Sequence, residues 1–277
     1  MKIKCWGCRG SLPTPGKTTV EFGGNTTCFQ VDGSGGEFII IDAGSGLRPL
    51  GQHIMRNEER RSFSLLLTHA HWDHLMGFPF FIPAYIKKFD MKIYGDFGGS
   101  KKLKEVIAHQ FKAPYFPVKF RELQADISFV ELSPRPIKIG GVKVESIKLS
   151  HPGGGTGYRF TDKNRKFVFL TDNELGYAHP EGYSFSKYVQ FAKGADLLLH
   201  DAQYTEDEYI RINKTWGHST FEQAYELALQ AGVKKLGFCH HDQERTDKLL
   251  RVIEKKYIRK SSKLKVFAVR EGASFSL

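Results

Sequence analysis

The chain has 277 residues, with 41 Lys and Arg against 30 Asp and Glu, so its formal net charge is +11. Hydrophobic residues make up 40% and charged residues 26%, a balance that excludes whole-chain disorder and collagen-like repeats. Four cysteines exclude a disulfide scaffold at this length, and the longest strongly apolar stretch, Leu75 to Ile86, is too short and too interrupted by Pro79 and Pro83 to span a bilayer.

A globule of this size hides roughly 73% of its unfolded surface, enough for a large core. No linker or repeat interrupts the chain, which predicts one domain over residues 1–277. The N-terminal stretch lacks the apolar core of a signal peptide, so the expectation is a cytoplasmic protein with reduced thiols and no membrane contact, with room for a homodimer. The basic residues fall in small groups: Lys87-Lys88, Lys101-Lys102-Lys104, Lys234-Lys235, and a set from Lys255 to Lys265. The last interleaves with Val252, Ile253, Tyr257 and Ile258, the pattern of an amphipathic helix with a wet basic face.

In chain order, Lys2 to Gly7, Cys28 to Asp32 and Glu37 to Asp42 read as strands separated by Gly-rich turns. Cys5-x-x-Cys8 fits an inward strand face better than half of a zinc or redox motif. Phe63 to Thr68 is a further strand, and Lys101 to Phe111 has helical spacing. Pro136 to Leu149 reads as a hairpin around Gly140-Gly141, and Thr156 to Thr171 as a second around Lys163-Asn164. Asp196 to His200 is a buried strand. Ser219 to Ala231 is a helix, with Ser219 and Glu222 as a capping box and Gly232 at its C-terminal cap. Lys235 to Cys239 is a strand, Thr246 to Ile258 a helix and Leu264 to Val269 a last strand. Two mixed β-sheets flanked by helices, an α/β architecture, fit this order better than one doubly wound sheet.

The eleven histidines are unevenly placed. His69-Ala70-His71-Trp72-Asp73-His74 follows the strand Phe63 to Leu67, putting four metal-competent side chains within six residues. Neutral imidazoles with a carboxylate suit zinc, and also iron or manganese. Further groups stand at strand ends: His151, Asp172, His200-Asp201 and His240-His241-Asp242. A buried, ionised Asp there is costly unless paired or coordinated.

The H-x-H-x-D-H run, preceded by Asp42-Ala43-Gly44 and followed in order by His151, Asp172 and His240, resembles the metallo-β-lactamase-fold hydrolases across essentially the whole chain. The resemblance implies a four-layer αββα sandwich and two divalent transition-metal ions, zinc first, with manganese or iron also suited. It implies that His69, His71 and His151 hold one ion, that Asp73, His74 and either His240 or His241 hold the other, His240 being preferred as the first residue after its strand, and that Asp172 bridges them. Asp73 counts with the catalytic residues as well. Asp42 resembles the carboxylate that orients a ligand His from behind, and His200 and His241 stand beside the site, supporting ligands or touching substrate.

His200-Asp201-Ala202-Gln203 and Gly217-His218-Ser219-Thr220 look like the H-E-A-T and H-S-T motifs of ribonuclease Z-like phosphodiesterases. In that branch a carboxylate holds a His that protonates the leaving oxygen, so Asp201 and His218 become catalytic candidates. Asp201 replaces Glu, and Gln203 replaces Thr. The expected reaction is hydrolysis of a cyclic nucleotide or short nucleic-acid phosphodiester by a hydroxide bridging two metals ~3.5–4 Å apart. Only 21 positions separate His151 from Asp172, which leaves no space for a tRNA-gripping arm and ranks tRNA 3′ processing below the small phosphodiester. A thioester or lactone hydrolase of the same fold, and a basic nucleic-acid-binding protein with structural metals, are competing readings of the same residues. Lys17, Arg159 and Lys163 could contact phosphate, with surface placement as the default reading.

Overall fold

The computed structural model describes residues 1–260 and 263–277. Positions 261–262, inside the basic C-terminal set, lie outside the described residues. In β1 (Lys2–Gly7) the odd positions Ile3, Cys5 and Gly7 are buried while Lys2 is exposed, a period of two that turns one face to a core. β2 (Cys28–Asp32), β3 (Phe38–Ile41) and β4 (Ser62–Leu66) are almost wholly buried, as strands covered on both faces are. β5 (Asp90–Gly95) and β6 (Asp126–Glu131) continue the sheet, followed by β7 (Ile137–Ile139), β8 (Val142–Lys148), β9 (Thr156–Asp162), β10 (Arg165–Leu170), β11 (Leu197–Asp201), β12 (Lys235–Cys239), β13 (Lys265–Ala268) and β14 (Ser274–Ser276). The helices are α1 (Leu47–Asn57), α2 (Ser100–His109), α3 (Phe185–Ala192), the single turn α4 (Glu206–Glu208), α5 (Phe221–Gln230) and α6 (Asp247–Ile258).

One seven-stranded sheet has the order β14-β1-β2-β3-β4-β5-β6, the other β13-β12-β11-β10-β9-β8-β7. Each is half antiparallel and half parallel, the parallel runs being β3 to β6 and β10 to β13. Three apolar cores define four layers. Ile3, Phe29, Ile41 and Leu66 of the first sheet meet Tyr158, Phe169, Leu199 and Cys239 of the second between the sheets. On the outer face of the first sheet Ile40, Phe63 and Ile93 pack with α1 and α2, and on that of the second Val168, Leu198 and Leu236 pack with α3, α5 and Tyr257 of α6. The expected αββα sandwich of two mixed sheets is the fold observed.

Both predicted hairpins form, with Gly140 and Lys163 at positive φ in their turns. Periodicity left α1, α3, β5, β6 and β14 unassigned. Helix α1 contains Pro49 and Gly51, poor helix formers, but Pro49 sits in the first turn, where its missing N–H costs nothing, and Gly51 lets Phe81 approach closely. One element is corrected by a residue. The cap of α5 is Thr220, whose hydroxyl accepts the Gln223 N–H at 3.0 Å, with Gln223 returning to the Thr220 N–H. The overlapping Ser219/Glu222 pair is used elsewhere: Ser219 donates to the Asn173 carbonyl at 2.5 Å, and Glu222 pairs with Lys260 at 2.6 Å. All four cysteines are buried and free, and Cys8 Sγ lies 3.4 Å from the carbonyls of Phe22 and Val269. Thr220→Ala should lower the unfolding free energy by about 1 kcal/mol through loss of the cap, measured by urea denaturation. A change near zero would reject Thr220 as the cap.

Candidate metal centre

In open α/β sheets, sites form beyond the carboxyl ends of parallel strands. Here Asp42 follows β3, residues 69–74 follow β4, Asp172 follows β10, His200 and Asp201 end β11, and His240 follows β12. Asp42, Asp172 and His240 have φ of 60°, 50° and 57°, a left-handed conformation that non-glycine residues adopt rarely and that gathers at functional sites. Each strand stops abruptly there, and its side chain turns over the sheet edge.

Asp42 is fully buried and fixes the first loop. Its carboxylate accepts the Thr68 N–H at 2.8 Å, the Thr68 hydroxyl at 2.9 and 3.0 Å, and His74 Nδ1–H at 2.8 Å. That bond leaves the His74 Nε2 lone pair facing the site. His151 Nδ1–H donates to the Gly217 carbonyl at 2.9 Å, and the Gln203 amide meets His240 Nδ1 at 2.8 Å. The backbone N–H of Ser11 reaches Asp73 Oδ2 at 2.9 Å.

The remaining ring nitrogens and carboxylate oxygens converge in two main groups and a third that overlaps both. His69, His71 and His151 form one, Asp73, His74, Asp172 and His240 the other, and His218 joins His151 and Asp172 in the third. His71 Nδ1 and His151 Nε2 are 3.1 Å apart, and His74 Nε2 and His240 Nε2 are 3.3 Å apart. Asp73 Oδ2 lies 3.2 Å from His74 Nε2 and 3.0 Å from His240 Nε2. Asp172 divides its oxygens. Oδ1 lies 3.8 and 3.9 Å from Nε2 of His69 and His151, while Oδ2 lies 3.2 and 3.3 Å from Nε2 of His74 and His240.

These residues fit two divalent ions. A tetrahedral zinc with bonds of about 2.0–2.1 Å separates its ligand atoms by about 3.3 Å, the spacing seen around His74, Asp73 and His240. His69 Nε2 is buried with no hydrogen-bond partner, an unmet need that a cation satisfies. The donors are imidazole and carboxylate without thiolate, and His71 is exposed to solvent, as an open site requires.

The two groups differ electrostatically. Burial pushes His69 well below the ordinary histidine range and His151 down to about 4. Burial acts on His74 and His240 too. There Asp73 and Asp172, joined by Asp42 at His74, override it and hold both rings above the usual value. Burial would raise Asp172 and Asp73, but the facing imidazoles hold both carboxyls well below their ordinary range.

His218 lies at the edge of the centre. Its Nδ1 is 3.3 Å from Asp201 Oδ2 and 3.9 Å from Asp172 Oδ1, and its ring stacks on His240 with centroids 5.0 Å apart. Asp201 is fully buried. Burial opposes its charge, yet His200 and His218 hold its carboxyl below the usual range. His200 Nδ1 donates to the Asp201 carbonyl at 2.7 Å, and its Nε2 meets the Asn173 amide at 3.2 Å, so His200 supports neighbours.

One placement is corrected, and Arg159 and Lys163 take the surface positions of their default reading. His241 does not face substrate: it is buried, turned away, and donates to the Val269 carbonyl at 2.8 Å. Consecutive residues at the end of β12 point oppositely, and only the first reaches the centre. Arg159 is held on β9 by Glu145 at 2.7 Å and by the Phe191 carbonyl. Lys163 lies at the β9–β10 turn, the far end of β10 from Asp172. Sequence reasoning missed Asn173, Glu174, the ring contact of Gln203, and fully buried Arg9, which donates to the carbonyls of Asp242 and Arg245 behind the His240 loop. Only the polar run Thr171-Asp172-Asn173-Glu174 after an apolar strand hinted at the first two.

The chain belongs to the beta-lactamase superfamily, whose domain model matches residues 38–241, and it is a metallo-β-lactamase-fold hydrolase. Ribonuclease Z of Haloarcula marismortui is 24% identical to it, over 87% of this chain and 86% of that protein. Among solved structures, the metallo-beta-lactamase fold protein YhfI from Bacillus subtilis is similar with a TM-score of 0.72 at 18% identity, covering 99% of this chain and 98% of that one. The short form of human tRNase Z has a TM-score of 0.67 at 18% identity, covering 100% and 99%. Among the described residues, no helix is long and apolar enough to cross a membrane.

Reconstituted protein should carry about two zinc ions per chain, measured by elemental analysis. Asp172→Ala should lose more metal than any single His variant, because its oxygens face both groups. Acid should weaken the two groups unequally. Facing carboxylates raise His74 and His240, while burial lowers His69 and His151, so acid protonates the first pair sooner. Between about pH 7 and about pH 5.5, affinity at the Asp73–His74–His240 group should therefore fall more than at the other group. Zinc titrations at the two pH values check this, and equal losses at both would contradict it.

Proposed function

We propose that the protein hydrolyses a small phosphodiester, a cyclic nucleotide or short oligonucleotide, as one domain spanning residues 1–277. The observation that carries this reading is the Asp201–His218 pair beside the two ligand groups. Thioester hydrolysis expels a thiolate, which leaves without a proton. Phosphodiester cleavage, cyclic or linear, expels an alkoxide that needs one.

In this reading His69, His71 and His151 hold one divalent ion, Asp73, His74 and His240 the other, and Asp172 both. When bound, such ions neutralise charge on the non-bridging phosphoryl oxygens and acidify a water. Asp42, the Gly217 carbonyl and Gln203 keep the ligand rings oriented. Asp201 engages His218 Nδ1, so Nε2 is the atom free to give a proton to the leaving oxygen. His200 and Asn173 brace Asp201 from behind, Asn173 donating its N–H to Asp201 Oδ1 at 3.2 Å. Exposed His71 and Trp72 mark the side open to substrate.

A second reading, a tRNA-processing endonuclease, is favoured by the full-length similarity to proteins named ribonuclease Z. Against it, β9 and β10 fill the 151–172 interval and pack within the second sheet. Cleavage of a tRNA precursor with turnover far above that of a cyclic nucleotide would favour the second reading.

His218→Ala should leave metal content unchanged and lower turnover of a diester with a poor leaving group by about 10²-fold or more. Bis-p-nitrophenyl phosphate, whose leaving group needs little protonation, should be affected much less. Steady-state turnover of both substrates, with metal quantified in each preparation, checks this. Equal losses on the two would reject the proton-donor role, and hydrolysis of an acyl thioester but of neither diester would reject the phosphodiesterase reading.

A further inference from the structure

Two residues beyond Asp172, Glu174 is 1% exposed. A buried carboxylate is tolerated only when its oxygens are satisfied, and four donors converge on this one. Oε1 accepts the Tyr209 hydroxyl and the Thr215 N–H, both at 2.7 Å. Oε2 accepts the Gly217 N–H at 2.8 Å and His179 Nε2–H at 2.8 Å. Three of the four belong to the segment from Tyr209 to Gly217, a π-helical stretch and a turn leading directly into His218.

That turn needs an external clamp. Thr215 has φ of 77° and Gly217 of 95°. A β-branched residue takes such a conformation only when its surroundings impose it, and the two amides imposing it share the Glu174 carboxylate. The turn serves the metal centre at both of its products. The Gly217 carbonyl holds His151 Nδ1, and a Cβ on Gly217 would collide with that nitrogen. The next residue, His218, is thereby delivered to Asp201, which also takes the Ser219 N–H at 3.1 Å.

We propose that Glu174 is a positioning residue for this centre: through the backbone of 215–217 it sets the orientation of His151 and of His218 without touching substrate. The proposal rests on the reading above, in which those rings are a metal ligand and a proton donor. A residue that merely filled space would leave both properties intact in any folded variant.

Glu174→Gln tests it, because the amide keeps the size but turns one of the two oxygens, each facing one backbone N–H and one side-chain donor, into a donor. Zinc affinity, by chelator competition, and kcat and KM on the two diesters are measured on zinc-loaded protein, with circular dichroism and thermal unfolding as controls. The folded variant should bind one of its two zinc ions at least about tenfold more weakly. Its kcat on the poor-leaving-group diester should fall about 10- to 100-fold, more than on bis-p-nitrophenyl phosphate, with KM nearly unchanged. Glu174→Asp, which retains the charge, should recover part of both losses. A folded Glu174→Gln with both zinc affinities and kcat unchanged overturns the proposal, as does a loss in KM alone. If Glu174→Gln does not fold, Tyr209→Phe removes one of the four donors. Unchanged zinc affinity and kcat in folded Tyr209→Phe and Glu174→Asp then overturn it. Should the wild type turn over neither diester, the function reading fails, while the zinc affinities still decide the role of Glu174.

Discussion

The Asp172 carboxylate is the constraint around which the centre is arranged. It is buried, sits on a left-handed backbone, and aims one oxygen at each group of imidazoles. An ionised carboxylate in that position is stable only with positive charge beside it. Strand order supplies the partners. β10 lies in the middle of its sheet, with β11 and β12 on one side bringing His200, Asp201 and His240, and β9 and β8 on the other leading to His151. The opposing sheet lends β3 and β4, which end in Asp42 and the His69–His74 loop. The fold thus gathers these strand ends at one rim, where His69, His74, His151, His218 and His240 stand against this carboxylate.

Around that carboxylate a division follows from burial and neighbours alone. His69 and His151 sit among other imidazoles and are driven towards the neutral form. His74 and His240 sit against Asp73 and Asp172 and are driven towards the charged one. Two similar sets of histidines are therefore biased in opposite directions, one towards the neutral form that a metal requires and the other away from it.

Much of this was legible in the sequence. The H-x-H-x-D-H run and the strand-end His and Asp residues carry their own spacing, and alternation in Lys2–Gly7 and the Gly-rich turns predicted the sheets. The less legible parts are those where tertiary contacts override local preference. Pro49 and Gly51 hide α1 because its stability comes from packing on Phe81 and its neighbours. His240 and His241 are chemically identical in sequence, and only a backbone turn at His240 separates the one facing Asp73 from the one facing Val269. Ser219 reads as the cap of α5, but its hydroxyl donates to the Asn173 carbonyl, and Thr220 caps the helix instead. Glu174 and Asn173 were hidden for another reason. Apart from His179, their side-chain partners lie 23 to 46 residues away in the chain, and no local pattern encodes a carboxylate serving a distant turn.

The ligand groups also straddle the seam between the sheets. His69, His71, Asp73 and His74 belong to the first sheet, His151, Asp172 and His240 to the second, and up to 167 positions separate partners such as Asp73 and His240. An ion held across that seam closes a very long loop, as a covalent crosslink would. Because it binds the docked sheets and not the separated ones, its binding free energy adds directly to the stability of the folded chain. Neutral hydrogen bonds cross the seam close by, the Tyr158 hydroxyl donating to the Leu67 carbonyl at 2.5 Å and the Thr156 N–H to the Thr68 carbonyl at 2.9 Å. A centre built this way would also be a fastener, its ions tying together the two sheets whose strand ends supply the ligands.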